Sequence, residues 1–172
     1  MRSLPLALYG RGSGRGYFLP IEGEMPIGQR GSSFMRTITL IIIHCSAVTS
    51  TQTSSATQID AWHRARGWKG IGYHYVIRRD GTIEKGRPEN QVGAHCKNHN
   101  KHSVGICYEG GLDSQGNPSD TRTPEQKAAL RALIESLHAS YPHALIVGHH
   151  DLDPHKSCPC YDVVQEYHDL QP

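Results

Sequence analysis

The run Thr37-Ile38-Thr39-Leu40-Ile41-Ile42-Ile43, ending at His44, limits the fold of this chain more than any other segment. Its apolar residues do not alternate with polar ones from Leu40 onward. No face is left for water, so the run reads as a strand buried on both sides. Successive side chains of a strand point to opposite faces, which puts Leu40, Ile42 and His44 together and turns Cys45 away. A buried strand end is a rigid mount, and His44 stands on one. Cys45 reads as a small buried hydrophobe.

The remaining pattern alternates helices and strands and gives an α/β fold, a central mixed β-sheet flanked by helices. Ser54 or Ser55 can cap a helix running to about Arg66, with Ile59, Trp62 and His63 on one face and Gly67 as the stop. Tyr73 to Arg78 reads as a strand, Asp80-Gly81 as a hairpin turn and Thr82 to Lys85 as the return. Ser103 to Tyr108 is a further strand, ended by Gly110-Gly111. Thr123-Pro124-Glu125-Gln126 is a capping box with proline at the first helical position, so a helix is expected from Pro124 to about Ser140. Its core face would be Ala128, Leu130 or Arg131, Leu133, Ile134 and Leu137. Ala144 to Val147 reads as another buried strand, and a short helix is expected from about Tyr161 to Asp169.

The first 34 residues differ from the rest. Gly10, Gly12, Gly14, Gly16, Gly23, Gly28 and Gly31 fall there with no periodicity, so residues 1–34 read as a flexible leader or as the product of an upstream start codon, and residues 35–172 as one folded domain. The apolar piece Leu4 to Tyr9 is broken by Pro5 and is shorter than the ~7 to 15 residue core of a signal peptide. No segment could span a bilayer. A net charge of +2 with scattered Lys and Arg gives no footprint for nucleic acid and no polybasic membrane patch. Five cysteines without a repeated spacing suggest free thiols or metal ligands rather than a disulfide framework.

The chemistry concentrates in Gly148-His149-His150-Asp151-Leu152-Asp153-Pro154-His155-Lys156-Ser157-Cys158-Pro159, read as a loop after an apolar strand. Imidazole nitrogen and thiolate sulfur are ligands that zinc prefers, and a catalytic zinc needs three protein ligands with the fourth position left for water. The loop can supply two, and His44 is the best third donor. Spacing leaves the choice between His149 and His150, and between Cys158 and Cys160, open. Tyr73 and His74 point to opposite faces, so one can reach the site while the other packs. In the loop after Gly93, His95 could belong to either class; His99 and His102 read as solvated surface residues.

Taken together, these residues resemble the phage-type zinc N-acetylmuramoyl-L-alanine amidases, whose fold the animal peptidoglycan-recognition proteins share. The resemblance runs from about Thr39 to Asp162. It rests on His44-Cys45-Ser46-Ala47, Gln58 to Gly67 with Trp62-His63, Gly72-Tyr73-His74 through Arg79-Asp80-Gly81-Thr82, Val92-Gly93-Ala94-His95, Ser103 to Cys107, His149-His150 and Lys156-Ser157-Cys158-Pro159. It implies a single domain of that fold and one catalytic zinc on His44, His149 and Cys158. Tyr73 and Lys156 would then be catalytic, Lys156 as the oxyanion stabiliser. The implied reaction cleaves the amide between the lactyl group of N-acetylmuramic acid and L-alanine, and the implied partner is peptidoglycan, met by a monomer. Synthesis in the bacterial cytoplasm, with access to the wall through lysis or a dedicated exporter, follows from the missing signal. The alternative is a peptidoglycan-binding module without catalysis, which in this family typically lacks the cysteine. Polymerase binding, a property of a phage relative, is neither implied nor excluded. His149 to Lys156 is one residue longer than the phage pattern, and Cys96 is not a residue expected beside His95.

Overall fold

The structure, a computed structural model, describes residues 36–172; the leader proposed for residues 1–34 lies outside them. The buried run forms β1 (Leu40–Cys45), followed by α1 (Ala56–Ala65), β2 (Tyr75–Ile77), β3 (Ile83–Lys85), β4 (Ser103–Tyr108), α2 (Pro124–Ser140), β5 (Leu145–Gly148), α3 (His149–Leu152) and α4 (Val163–Glu166). The strands make one sheet in the order β3-β2-β4-β1-β5, parallel except for the β2–β3 hairpin. β1 therefore has a parallel partner on each side, and Ile41, Ile42 and Ile43 are fully buried.

Helices cover both faces. On one, Ile41, Ile43 and Cys45 pack with Ile106, Tyr108 and Ile146 against Leu130, Leu133, Ile134 and Leu137 of α2 and Val163 of α4. On the other, Val76 and Cys107 pack against Ile59 of α1 and Ile71, with Trp62 and Tyr73 at the margin. In the β1–β4 register His44 lies opposite Cys107, so it emerges on the α1 side.

Local chemistry explains the helix limits. Ser55 caps α1 by accepting from the Gln58 N–H. Past its end Gly67, at φ +82°, donates to Arg64 O at 2.9 Å while Trp68 donates to His63 O at 3.0 Å, the paired bonds of a Schellman motif. The capping box of α2 forms as the sequence reads: Gln126 N–H donates to Thr123 Oγ1 and Thr123 N–H to Gln126 Oε1, both at 3.1 Å.

The last helix is shorter than the sequence reading, Val163–Glu166 with a separate 3-10 turn at His168–Leu170, and four further details differ. The second strand begins at Tyr75; just before it the His74 and Tyr73 carbonyls accept from the Gly86 and Arg87 N–H groups, at 2.8 and 2.9 Å. The turn is a three-residue one: Gly81 N–H donates to Arg78 O, and Gly81 is left-handed at φ +83°. Ala128 is exposed, its place on the α2 face taken by fully buried Gln126, whose amide also donates to Ile77 O and Glu109 O. β5 is an edge strand with Leu145 50 % exposed, and its outer edge is closed by a side chain: Gln171 accepts from Ile146 N–H at 3.0 Å and donates to Ile146 O at 2.8 Å.

Candidate functional site

β1 and β5 are adjacent and parallel, so the residues that follow them emerge together at one end of the sheet. That brings His44, at the end of β1, beside His149, the first residue after β5. The segment after Gly148 is not an open loop: His149 to Leu152 make one helical turn, started by Asp151 Oδ2 accepting from Gly148 N–H at 2.7 Å. This turn aims His149 at His44, with ring centroids 4.6 Å apart. The chain then returns, and His150 N–H donates to Cys158 O at 2.8 Å while the buried Tyr108 hydroxyl donates to Pro159 O at 2.7 Å. These two bonds carry Cys158 back to the strand end.

One potential ligand atom each from His44, His149 and Cys158 lies within 4.8 Å of the others, the one such His/Cys/Asp/Glu group among the described residues. His44 turns Nδ1 toward Cys158 Sγ, 3.9 Å away, and the Cys45 N–H donates to the same sulfur at 3.2 Å. Burial holds the pKa of His44 well below the ordinary histidine value, reinforced by His95 and His149. His149 is also lowered, first by burial and then by the Lys156 ammonium. Both imidazoles are thus neutral at neutral pH, as metal ligands must be. His150 faces outward and pairs with Asp151 at 3.3 Å; Cys160 turns to Gly111 O and to Cys45 Sγ.

Tyr73 reaches the same place, its ring centroid 5.1 Å from that of His44. Burial, with Cys107 next in weight, raises its pKa well above the ordinary phenol value, so the hydroxyl stays protonated. Lys156 stands at the exposed rim, two residues before Cys158 and close enough to His149 to act on its charge. A cleft of ≈ 80 Å³ opens beside Tyr73, lined by Ser46, Ile59, Trp62, His63 and Arg66.

Two contributors carry no assigned role in the sequence reading. His63 is buried in α1; its Nδ1 accepts from Gly72 N–H at 2.9 Å, and its tilted ring lies between those of Trp68 and Tyr73, with centroids 4.4 and 5.7 Å away. His95 is the larger omission, for its Nδ1 lies 3.0 Å from His44 Nε2. The Val92-Gly93-Ala94-His95 match is a signal for it, but only the fold puts this loop against β1. His99 and His102 meet edge to face, ring centroids 5.5 Å apart and both partly buried, rather than standing free.

The comparisons with known proteins agree with this architecture. The family model described as N-acetylmuramoyl-L-alanine amidase matches residues 34–161. An endolysin of Klebsiella phage KP32 is 46 % identical over 123 residues, covering 72 % of this chain and 81 % of the relative. A peptidoglycan-recognition protein, SC2 of Drosophila melanogaster, is 33 % identical over 109 residues, 60 % of this chain and 56 % of that one. Among solved structures, the N-acetylmuramoyl-L-alanine amidase LysC from Clostridium intestinale URNW superposes with a TM-score of 0.66 at 32 % identity, covering 81 % of this chain and 85 % of that one.

Proposed function

The chain belongs to the N-acetylmuramoyl-L-alanine amidase family, and from that membership we propose that it cuts the amide between the lactyl group of N-acetylmuramic acid and L-alanine, using one zinc ion on His44, His149 and Cys158. It is an amidase of the endolysin kind, a hydrolase of peptidoglycan. The observation that carries the metal reading is the convergence of two neutral imidazoles and a thiol within 4.8 Å. Two nitrogens and one sulfur suit a borderline-soft ion, and three protein donors leave the open position of a catalytic rather than a structural zinc. When bound, the ion would supply Lewis-acid polarisation of the scissile carbonyl and activation of a water.

The chain's own groups account for the rest. The Cys45 N–H, 3.2 Å from Cys158 Sγ, stabilises negative charge on that sulfur. The Tyr73 hydroxyl, protonated across the neutral range, donates a hydrogen bond to the reacting oxygen or orients the attacking water. Lys156 brings a flexible cation from the rim toward the oxygen that gains charge as the carbonyl becomes tetrahedral. The cleft beside Tyr73, walled by the Trp62 and His63 rings, has room for a small group next to the scissile bond and not for the whole muramyl peptide. The enzyme acts on the cell wall, where its substrate is.

Digestion of purified peptidoglycan followed by mass spectrometry tests the reading. Expected products are stem peptides with a free L-alanine amino group and uncut glycan strands carrying unmodified lactyl carboxylates. Glycan cleavage generally uses a pair of flanking carboxylates, and the groups assigned here are two imidazoles, a thiol, a phenol and an ammonium. New reducing-end sugars or cleavage between stem amino acids refutes the bond assignment, and wall binding without any cleavage favours the recognition module.

A further inference from the structure

The ligand His44 is held from behind by a chain of hydrogen bonds with a single consistent direction. Its Nδ1 faces Cys158, so in the neutral ring the proton sits on Nε2, which then donates to His95 Nδ1 at 3.0 Å. His95 in turn carries its proton on Nε2, 3.4 Å from Ser103 Oγ, and the Ser103 hydroxyl donates to His99 O at 2.8 Å. Every donor has an acceptor, and the chain ends on backbone. A metal-binding histidine needs its second nitrogen engaged in this way to fix its tautomer and ring plane.

The His95 ring occupies a slot shaped by two glycines. A Cβ on Gly105 would lie 2.6 Å from its ring carbons, and one on Gly93 would lie 2.5 Å from it. The loop bearing His95 is closed at its two ends by one side chain: Arg36 donates to Glu89 O and Gln91 O, each at 2.7 Å, and to Asn100 O at 2.8 Å and Ser103 O at 2.6 Å. Only a guanidinium has enough rigidly spread donors to join four carbonyls from two stretches of chain.

We propose that His95, seated by Gly93 and Gly105 and held by the Arg36 clamp, is the positioning residue that fixes the tautomer and orientation of His44 toward the metal. This inference rests on the reading of His44 as a zinc ligand. Its function is exerted through His44 and not on substrate, so its signature is metal affinity and ligand field as much as turnover.

The test measures zinc affinity of the full chain by competition with a chromogenic chelator, together with the visible absorption of the cobalt(II) form. His95→Ala should weaken zinc about 10 to 100 fold and shift the cobalt bands. His95→Gln, whose amide oxygen can still accept the His44 proton, should recover most of the affinity. Gly105→Ala should reproduce the loss with every polar group retained, and Arg36→Lys should show part of it. Circular dichroism of the metal-free proteins identifies any variant that does not fold, and the others then carry the test. If His95→Ala and Gly105→Ala both bind zinc within about threefold of the unaltered chain with unchanged cobalt bands, the positioning role is overturned. If His44→Ala itself keeps zinc, the ligand assignment has failed instead.

Discussion

Replacing Glu109 with alanine should cost this fold more than any change on its surface. The residue follows β4 with its side chain 2 % exposed, and four groups converge on its carboxylate. Ser54 N–H donates to Oε1 at 2.8 Å; Arg78 Nε and Arg79 N–H donate to Oε2 at 2.9 and 3.1 Å; the Arg79 guanidinium lies 3.3 Å from Oε1. Burial pushes the carboxyl pKa up, but Arg78 and the two backbone donors outweigh it and leave it below the ordinary glutamate value. Removing the carboxylate strands two backbone N–H groups, at about 1–3 kcal/mol each. The two arginines are 26 % exposed and regain water, so their share is small. The sum is about 3 kcal/mol, near the lower end for breaking a buried pair, and lowers Tm by about 10 °C in a domain of this size. Urea unfolding followed by circular dichroism measures it directly. Arg131→Ala is the control, since its pairing with Asp169 is exposed by 43 and 44 % and should be worth under about 1 kcal/mol. A Glu109→Ala protein as stable as the Arg131→Ala control would refute the idea that these donors depend on one buried acceptor.

His44→Ala, His149→Ala and Cys158→Ala should each release zinc while His150→Ala keeps it, as read by metal analysis of the purified proteins; a His150→Ala protein without metal would reverse the choice between the two histidines. Tyr73→Phe and Lys156→Ala should retain zinc and lose about 100 to 1,000 fold in turnover on peptidoglycan; near-normal turnover in Lys156→Ala would show that the rim cation is dispensable. Burial lowers the His74 pKa to about 4, against 6.5 unperturbed, and its Nδ1 already accepts from Gly105 N–H. Below pH 6.5 the unfolded chain takes up a proton that the folded state refuses until about pH 4, so this contribution is complete above pH 6.5 and falls away by about 3 kcal/mol as pH drops to 4. Unfolding of the metal-free His74→Gln protein should therefore depend less steeply on pH across that window, and parallel profiles would sink the assignment.

Elements with strong local signals are legible in the residues themselves. The apolar run places β1, Ser103 to Tyr108 reads to its true limits, and Thr123 with Gln126 announces α2. What escapes is chemistry that needs neighbours. Gln126 looks like an ordinary capping residue, yet its amide is buried because β2 and the end of β4 offer it carbonyls. The turn from His149 to Leu152 has no amphipathic period to betray it; its cause is one aspartate bonding to the glycine three residues earlier. His95 stands among several histidines of one loop, and the Val92-Gly93-Ala94-His95 match sets it apart without saying what it touches. Only the pairing of β1 with β4 brings that loop to His44. Residue type narrows the candidate ligands to His44 with one of His149 and His150 and one of Cys158 and Cys160, the family resemblance chooses within each pair, and neither names the groups that aim them.

The Gln171 amide, bonded to both polar groups of Ile146, works as a strand one residue long. It occupies a backbone position at which a stranger's chain could begin to add to the β5 side of the sheet beside exposed Leu145. The two groups it covers would otherwise be a template for intermolecular pairing. Gln171→Ala should leave the catalytic end untouched while making concentrated solutions associate, with light scattering rising before any loss of fold. That outcome would tie the protein's resistance to association to a side chain outside the whole machinery of the reaction.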